Sequence, residues 1–525
     1  MSGVEMLALL AGSLAVAAVA RRLGWSAPLL LVAVGLVISL VPGIPAPALD
    51  PHLVLALILP PLLYSAALDS SYLGFRANVR PIALLAVALV LVTTVVVGVV
   101  AHLVLPGLPL SSAMVLGAVV APTDAVAAVA IGRQLGLPRR VITVLSGESM
   151  VNDGTALTVY KVAVAAVVGA GVSWLRGLGE FALAMVGGVV VGLAAALVVH
   201  AVRQRLANAV LECALGLLVP FGTYLAAEEV GASGVLAVVV AGLYLGHNAP
   251  RAGYAVRLQE TAVWRALDVL LESLVFGLIG LSVRAVAAGV GGAGWSGTTL
   301  VVACAAVLAA TILVRIGWVF LATYLPRWAS PRLRARDPVP WQAPMLVGWS
   351  GMRGVVTLAA VAALPAATGA GTPFPGRDAI VLLAFVVTVG TLLIHGLSLP
   401  WIIRTLRLGG GEAQRDALAE AEIQHRAART ALDRLDAEIS AETPPEHVVR
   451  RLRAIAELRG NAAWERLGRQ ELESPAATFR RLRRTMLNAE REVFVAARDA
   501  GRIDDEVLRT VLRELDLEEA ALSRE

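Results

Sequence analysis

The segment GESMVNDGTA, residues 147–156, carries four polar side chains between two apolar flanks. Glu148 and Asn152 are four residues apart, as are Ser149 and Asp153, so on a helix the four form a polar patch along one half of the surface. In lipid a carboxylate is costly unless it meets protein, water or a partner charge, and such residues are candidates for function. This patch is therefore the first place where the sequence predicts chemistry.

The residue types in this patch suit a cation and a proton equally well. Carboxylate, amide and hydroxyl oxygens are ligands of a hard, weakly polarising cation such as Na⁺. Burial favours the protonated form of a carboxyl group, whereas a bound cation or a nearby arginine favours the ionised form. Asp153 would thus hold either H⁺ or a cation, and that competition suffices for exchange if the site faces each side alternately. We expect Asp153 to be this shared carrier.

Two other apolar segments combine helix breakers with polar residues. GAVVAPTDAVAAVAIG (117–132) has Pro122 before Thr123 and Asp124, and APMLVGWSGMRGVVTLAA (343–360) has three glycines around Arg353. Interrupted helices at matching positions of two halves mark the ion site of many transporters, and the freed carbonyl groups near Asp124 could complete a cation's ligand shell. We expect Arg353, the buried cation of opposite sign, to form a structural ion pair with Glu148.

The remaining ionisable residues of the apolar part lie nearer the ends of the predicted helices, where snorkelling or capping is the expected role. They are Asp69, Lys161, Glu212, Asp268, Glu272 and Arg315. The sequence has no cluster of histidine, cysteine or phosphate-cradling glycine, so it predicts no cofactor and no transition-metal or nucleotide site. No predicted helix pairs a histidine with a central serine or aspartate, which disfavours an intramembrane hydrolase.

Composition and hydropathy identify an integral membrane protein. The chain has 525 residues, of which 58% are apolar and 16% charged, and its mean hydropathy is +0.76. About thirteen apolar runs are long enough to cross roughly 30 Å of hydrocarbon. They cover residues 4–20, 24–42, 50–68, 81–104, 111–131, 141–169, 180–202, 208–227, 232–248, 266–285, 298–323, 342–365 and 377–402.

The arginines predict the topology. Counting alternate loops as cytoplasmic puts eighteen arginines on one side and only Arg176, Arg284 and Arg377 on the other, which is the expected bias towards the cytoplasm. The N-terminus is then outside and the C-terminus inside. An odd number of spans also permits two inverted six-helix repeats with broken, crossing helices around a seventh helix. Residues 1–407 are predicted to form this all-α polytopic domain, and the charged residues 408–525 a helical cytoplasmic tail.

Four ordered motifs now indicate a family. APTDAVA, GESMVNDGTA, SGVLAVVVAGLYLG (233–246) and GWSGMRGVVTLA resemble those of the monovalent cation/proton antiporters of the bacterial and eukaryotic sodium/proton exchanger family. The resemblance covers about residues 5 to 405 and leaves out the tail. One departure is Glu272 in LLESLVFGLIGLS, where many relatives are expected to have Asn.

The resemblance implies a role for each matching position. Asp153 would be the ion- and proton-binding carboxylate with Asn152 beside it, and Thr123, Asp124 and Ser149 would supply further ligands for Na⁺. Glu148 and Arg353 resemble the structural pair of the family. An Asn before the key Asp accompanies electroneutral exchange in the wider superfamily, and the family forms homodimers, so both are expected here.

We therefore expect an antiporter of the cell membrane that exchanges Na⁺, or else Li⁺ or K⁺, for H⁺ by alternating access and serves pH and sodium homeostasis. A K⁺-selective exchanger is the first alternative, because the ligand types do not separate Na⁺ from K⁺. A cation channel is the second. It is disfavoured because the polar residues are concentrated near mid-membrane with apolar helix on both sides.

Overall fold

The computed structural model describes most of the chain. The described residues are 3–41, 54–169, 174–206, 208–282, 286, 295–329, 339–368, 371–406, 412–441, 444–468, 475–500 and 502–523. Two compact units can be distinguished, Met1–Leu408 and Gly409–Glu525. The boundary predicted between residues 407 and 408 falls in 407–411, outside the described residues, as does Arg284 from the topology argument.

The first unit is built from helices and turns, with one isolated β-bridge between Ala367 and Pro373 among the residues described. In chain order the helices are α1 Gly3–Leu23, α2 Ala27–Ser39, α3 Leu59–Leu68, α4 Tyr72–Ala77, α5 Val79–Ala83, α6 Leu89–Val104, α7 Leu110–Val120, α8 Val126–Gln134, α9 Arg139–Val168, α10 Trp174–Leu206, α11 Ala209–Glu229, α12 Gly234–Asn248, α13 Tyr254–Leu281, α14 Gly297–Ala329, α15 Gln342–Trp349, α16 Val355–Ala362 and α17 Arg377–Leu406. The all-α class predicted from the sequence is confirmed.

Helix lengths agree with a polytopic membrane protein. In the described part of the chain, seven helical stretches are long and apolar enough to cross a membrane, and three shorter apolar ones accompany them. Each of the thirteen predicted spans coincides with a helix or with a pair of half-helices. The number thirteen and the inverted repeat stay predictions.

Two helices extend well beyond the runs that hydropathy predicts. Helix α13 begins at Tyr254, and not near residue 266, because its first three turns are amphipathic and not uniformly apolar. Helix α14 continues to Ala329, past residue 323. These extensions move Asp268, Glu272 and Arg315 away from the helix ends, so the prediction that they snorkel or cap is wrong.

Prolines shape the helices near the site. Residues 54–58 form a π-helical turn directly before Pro60 and Pro61 at the start of α3. A proline has no N–H to donate, and its ring meets the carbonyl group four residues earlier. The wider turn accommodates both effects, so the chain enters α3 without a break.

The second unit is a set of charged helices. Its helices are α18 Glu412–Ala441, α19 Glu446–Gly468, α20 Pro475–Asp499 and α21 Asp505–Ser523. Leu487 of α20 and Leu508 and Leu515 of α21 are buried, and Arg483 holds Glu518 through two hydrogen bonds of 2.6 and 2.8 Å. Those bonds from Arg483 lower the pKa of Glu518 below its usual value.

Small residues let the helices of the first unit approach closely. Gly192 of α10 lies against the backbone of Ala237 in α12, where a Cβ would overlap the Ala237 carbonyl oxygen. Gly179 on the same helix has open space around it. Without a hydrophobic driving force between helices in lipid, such close backbone contacts are a main source of association.

Gly192→Ala is therefore expected to lower the melting temperature of the purified protein in detergent. The added methyl group has to push α10 and α12 apart, and overpacking of this kind costs about 1–3 kcal/mol. Gly179→Ala is the matched control and is expected to leave the melting temperature unchanged or raised. Equal melting temperatures for both variants would contradict the close contact.

Candidate ion-binding site

Two broken helices meet at the centre of the first unit. Helix α7 ends at Val120 and α8 begins at Val126, while α15 ends at Trp349 and α16 begins at Val355. Between the halves the chain runs without helical structure. The two breaks touch, because the N–H of Asp124 donates to the carbonyl oxygen of Met352 at 2.8 Å. The interrupted helices predicted from Pro122 and the glycines are confirmed.

The side chain of Arg353 lies at the C-terminal ends of α7 and α15, which are the first halves of the two broken helices. Its Nε donates to the carbonyl oxygen of Val120, the last residue of α7, at 3.0 Å, and its Nη1 donates to the carbonyl oxygen of Gly351. The side chain is only 1% exposed. The last carbonyl groups of a helix have no partner within it and carry partial negative charge, so a buried guanidinium there is favourable.

Asp124 occupies the opposite, amide end. Its Oδ1 accepts from the N–H of Val126, the first residue of α8, at 2.8 Å. Helix N-termini carry partial positive charge, which suits a carboxylate. The fit requires glycine at 354, since a Cβ at that position would overlap Asp124 Oδ2. Ser149 of α9 supports the same break, because its Oγ accepts from the N–H of Ala125 at 3.2 Å.

Glu148 forms its ion pair with Arg315 of α14. Arg315 Nη2 donates to Glu148 Oε2 at 2.9 Å, and Nη1 contacts Oε1. Both side chains are 1% exposed. The predicted pair of Glu148 with Arg353 is therefore wrong, because Arg353 is committed to backbone carbonyl groups. The sequence offered a signal that was overlooked, namely a single arginine in the apolar run ILVRIGW.

Asn152 and Thr123 extend this network to the first break. Asn152 Nδ2 donates to Thr123 Oγ1 at 2.8 Å and to the Thr123 carbonyl oxygen at 3.2 Å. Thr123 Oγ1 in turn donates to Glu148 Oε1 at 3.0 Å. The threonine hydroxyl thus both donates and accepts, which joins α9 to the unwound segment through one continuous chain of hydrogen bonds.

Asp153 is the exception in this polar cluster. It is 6% exposed, and within the described part of the chain no hydrogen bond or ion pair to its carboxylate is found. It faces a cavity of about 280 Å³ whose walls include Asp124, Thr123 and Ser149. The structure therefore brings together four of the predicted ligand residues, whereas Asn152 does not line this cavity.

The cavity adjoins a second one. A second cavity of about 440 Å³ shares Asp69, Ser70 and Arg133 with it and extends to Arg139. Arginines 133 and 139 belong to the side predicted to be cytoplasmic. A third cavity, of about 200 Å³, has walls that are almost wholly apolar and includes Ser282 and Arg377. Among the described residues it shares only Val355 with the first.

Three carboxylates in the cavity were not predicted to belong to the site, namely Asp69, Asp268 and Glu272. Asp268 and Glu272 of α13 both line it, and Ser65 Oγ of α3 donates to Asp268 Oδ2 at 2.5 Å. Their spacing of four residues could have indicated a shared face. Hydropathy concealed it, because the turns of α13 before residue 266 are too polar to count as membrane helix.

Comparison with known proteins identifies the relatives of this chain. Residues 6–405 match the family described as "Sodium/hydrogen exchanger, transmembrane". The Na(+)/H(+) antiporter ApNhaP of Aphanothece halophytica is 32% identical over 80% of this chain and 76% of its own. An uncharacterized Na(+)/H(+) exchanger of Mycobacterium tuberculosis is 32% identical over 99% of this chain and 96% of its own.

Two further relatives bear on selectivity and fold. The sodium, potassium, lithium and rubidium/H(+) antiporter of Bacillus subtilis is 30% identical over 71% of this chain and 57% of its own. Among solved structures, the sodium proton antiporter MjNhaP1 from Methanocaldococcus jannaschii at pH 8 superposes with a TM-score of 0.59. It is 20% identical and matches 77% of this chain and 98% of its own.

The corrected ion pair can be tested by double-mutant cycles. Glu148→Gln or Arg315→Gln alone leaves a buried charge without its partner, which is expected to cost about 3–5 kcal/mol and to lower the melting temperature strongly. The double variant Glu148→Gln/Arg315→Gln removes both charges. Its loss of stability is expected to be smaller than the sum of the losses in the two single variants.

The control cycle combines Glu148→Gln with Arg353→Gln, whose effects are expected to be closer to additive. A larger coupling between positions 148 and 353 than between 148 and 315 would contradict the pairing described above.

Proposed function

The chain belongs to the sodium/hydrogen exchanger family, and from that premise we propose that Asp153 is the carboxylate at which H⁺ and Na⁺ compete. The family consists of antiporters that exchange Na⁺ for H⁺ across a membrane, and its members are transporters and not enzymes. The chain is accordingly a multi-pass membrane protein. The observation that carries the proposal is the unpartnered, buried carboxylate of Asp153 on the wall of a cavity.

The proposed chemistry follows because the carboxylate of Asp153 has no bonded partner among the described residues. A buried carboxylate with no partner is unstable as a bare anion, so it is neutralised either by a proton or by a bound cation. The two ligands exclude each other because one group can be neutralised only once. Binding of a cation from one side therefore releases the proton, and return of the proton on the other side releases the cation.

The ligand shell of Na⁺ would be completed by oxygen atoms around the first break. Asp124 and Ser149 line the same cavity as Asp153. The hydroxyl of Thr123 is already committed to Asn152 and Glu148, so we assign its backbone carbonyl oxygen as the ligand. That oxygen accepts one hydrogen bond from Asn152 and retains a second lone pair.

Asn152 has a positioning role in this proposal. Its amide donates twice to Thr123, which an aspartate could not do because it has no N–H. The neutral side chain also leaves Asp153 as the one ionisable group of the Asn-Asp pair. One proton would then be exchanged for one monovalent cation, so we propose electroneutral transport.

Orientation and assembly belong to the same proposal. The excess of arginine in alternate loops supports an outside N-terminus and a cytoplasmic tail. The cavity beside Asp153 shares Arg133 with the cavity that reaches Arg139, so this conformation would be open to the cytoplasm. The family resemblance supports a homodimer. K⁺ remains a second candidate substrate, because one relative is named for transport of sodium, potassium, lithium and rubidium.

Replacement of Asp153 tests the carrier directly. Purified protein is reconstituted in proteoliposomes with a pH gradient, Na⁺, K⁺ or Li⁺ is added in turn, and internal pH is followed. Wild type is expected to dissipate the gradient on addition of cation. Asp153→Asn is expected to lose at least about 100-fold in rate, because an amide can neither release a proton nor neutralise a cation.

The control is Asp378→Asn, a carboxylate in the first turn of α17, which is expected to retain exchange. Equal rates for wild type and Asp153→Asn would remove Asp153 from the mechanism, and the order of the three cations would settle the substrate.

Electroneutrality is tested in the same vesicles with the permeant anion thiocyanate. One-for-one exchange generates no membrane potential, so dissipating the potential is expected to leave the initial rate of Na⁺-driven proton movement within about 20% of its value without thiocyanate. A severalfold acceleration would show that net charge is moved. Asn152→Asp, which adds a second carboxyl group, is the variant for comparison.

A further inference from the structure

Helix α13 contributes a pair of carboxylates that the exchange chemistry does not use. Asp268 and Glu272 are four residues apart on α13, and both line the cavity that contains Asp153. Because residues four apart lie on one helical face, the pair presents two carboxyl groups to one space. Asp69, at the end of α3, also lines this cavity.

Asp268 and Glu272 lie beside the proposed path of the ion. The second cavity shares Asp69 and Arg133 with the first and leads away from Asp153 towards Arg139. Asp268 precedes Glu272 on a helix that begins at Tyr254, so it is the member of the pair nearer the start of α13. Arg133, which lines both cavities, is exposed.

The contacts of Asp268 indicate an incomplete ligand set. Ser65 Oγ donates to its Oδ2 at 2.5 Å, while Oδ1 is buried and has no hydrogen-bond partner among the described residues. A carboxylate fixed by one bond, with its other oxygen buried and unsatisfied, is arranged to accept a further ligand. Asp153, buried and unpartnered, faces the same cavity.

The alternative role for the pair is to compensate the positive charge of an arginine. Glu272 would then compensate the positive charge of an arginine of the same unit. Yet no ion pair joins Glu272 to an arginine within the described ranges. Compensation would also leave Asp268 unexplained, since its bonded partner Ser65 is uncharged.

We propose that Asp268 and Glu272 form an entry subsite for the monovalent cation, on the path to Asp153. The subsite attracts and briefly holds the cation, which raises its concentration beside Asp153, while release of the proton occurs at Asp153 alone. This inference rests on the proposed function, because it assigns two further residues to the same transport path. It predicts an effect on the apparent affinity for the cation and not on the turnover of the loaded carrier.

The test uses the full-length protein in proteoliposomes and measures initial exchange rates against Na⁺ concentration. Asp268→Asn and Glu272→Gln are each expected to raise the KM for Na⁺ roughly three- to tenfold, the size of effect expected from one charge about a helix-width away at an effective dielectric constant of about 20. The kcat is expected to stay within about twofold of wild type. Asp268→Glu, which keeps the charge, is expected to restore the KM.

The matched control is Glu228→Gln, a carboxylate of the same unit that pairs with Lys161 and does not line the cavity. Its KM for Na⁺ is expected to equal that of wild type. Asp268 and Glu272 are independent tests, so one folded variant suffices if the other fails to fold.

Three results would overturn the inference. An unchanged KM in both variants, with exchange by wild type intact, would remove the subsite and leave the role of Asp153 standing. A fall in kcat alone would identify a structural role for the pair. Absence of cation-dependent exchange in wild type would overturn the proposed function, and the subsite with it.

Discussion

The structure depends on one constraint, which is that peptide groups cannot be left without hydrogen-bond partners in the middle of a bilayer. Breaking α7/α8 and α15/α16 frees N–H and carbonyl groups at that depth. Arg353 takes the carbonyl oxygen of Val120, and the breaks bond to each other through Asp124 and Met352. Side chains of α9 complete the arrangement, with Ser149 accepting from Ala125. Most polar side chains of the site thus have a structural partner.

The partners of these polar side chains leave one carboxylate unmatched. Glu148 and Arg315 neutralise each other, and Arg353 and Asp124 lie at helix ends of opposite partial charge. Asp153 alone among these residues is left without a partner on the described chain. Under the proposed function its charge is matched in turn by a proton and by a cation. The proposed exchange chemistry rests on this one unmatched carboxylate.

The sequence predicted the class, the broken helices and the gathering of Asp124, Thr123 and Ser149 around Asp153, because breakers and mid-helix charges are local signals. It failed where the answer depended on which helices pack together. Two buried arginines were available for Glu148, and only the packing of α14 against the break shows that Arg315 reaches it. Asp268 was missed for another reason, since hydropathy begins α13 too late and so places a mid-helix carboxylate at an end.

The bonds between the two breaks also restrict how access can change sides. Movement that separated Asp124 from Met352, or Arg353 from Val120, would expose peptide groups that no other described residue satisfies. Movement that keeps these bonds has to carry both breaks together with α9, to which Thr123 is joined through Asn152. The polar cavity is lined by residues of this group, and the nearly apolar cavity lined by Val275 and Ile279 shares Val355 with it. Apolar walls form no directional bonds, so movement of the group past them costs little and would leave its internal hydrogen bonds intact.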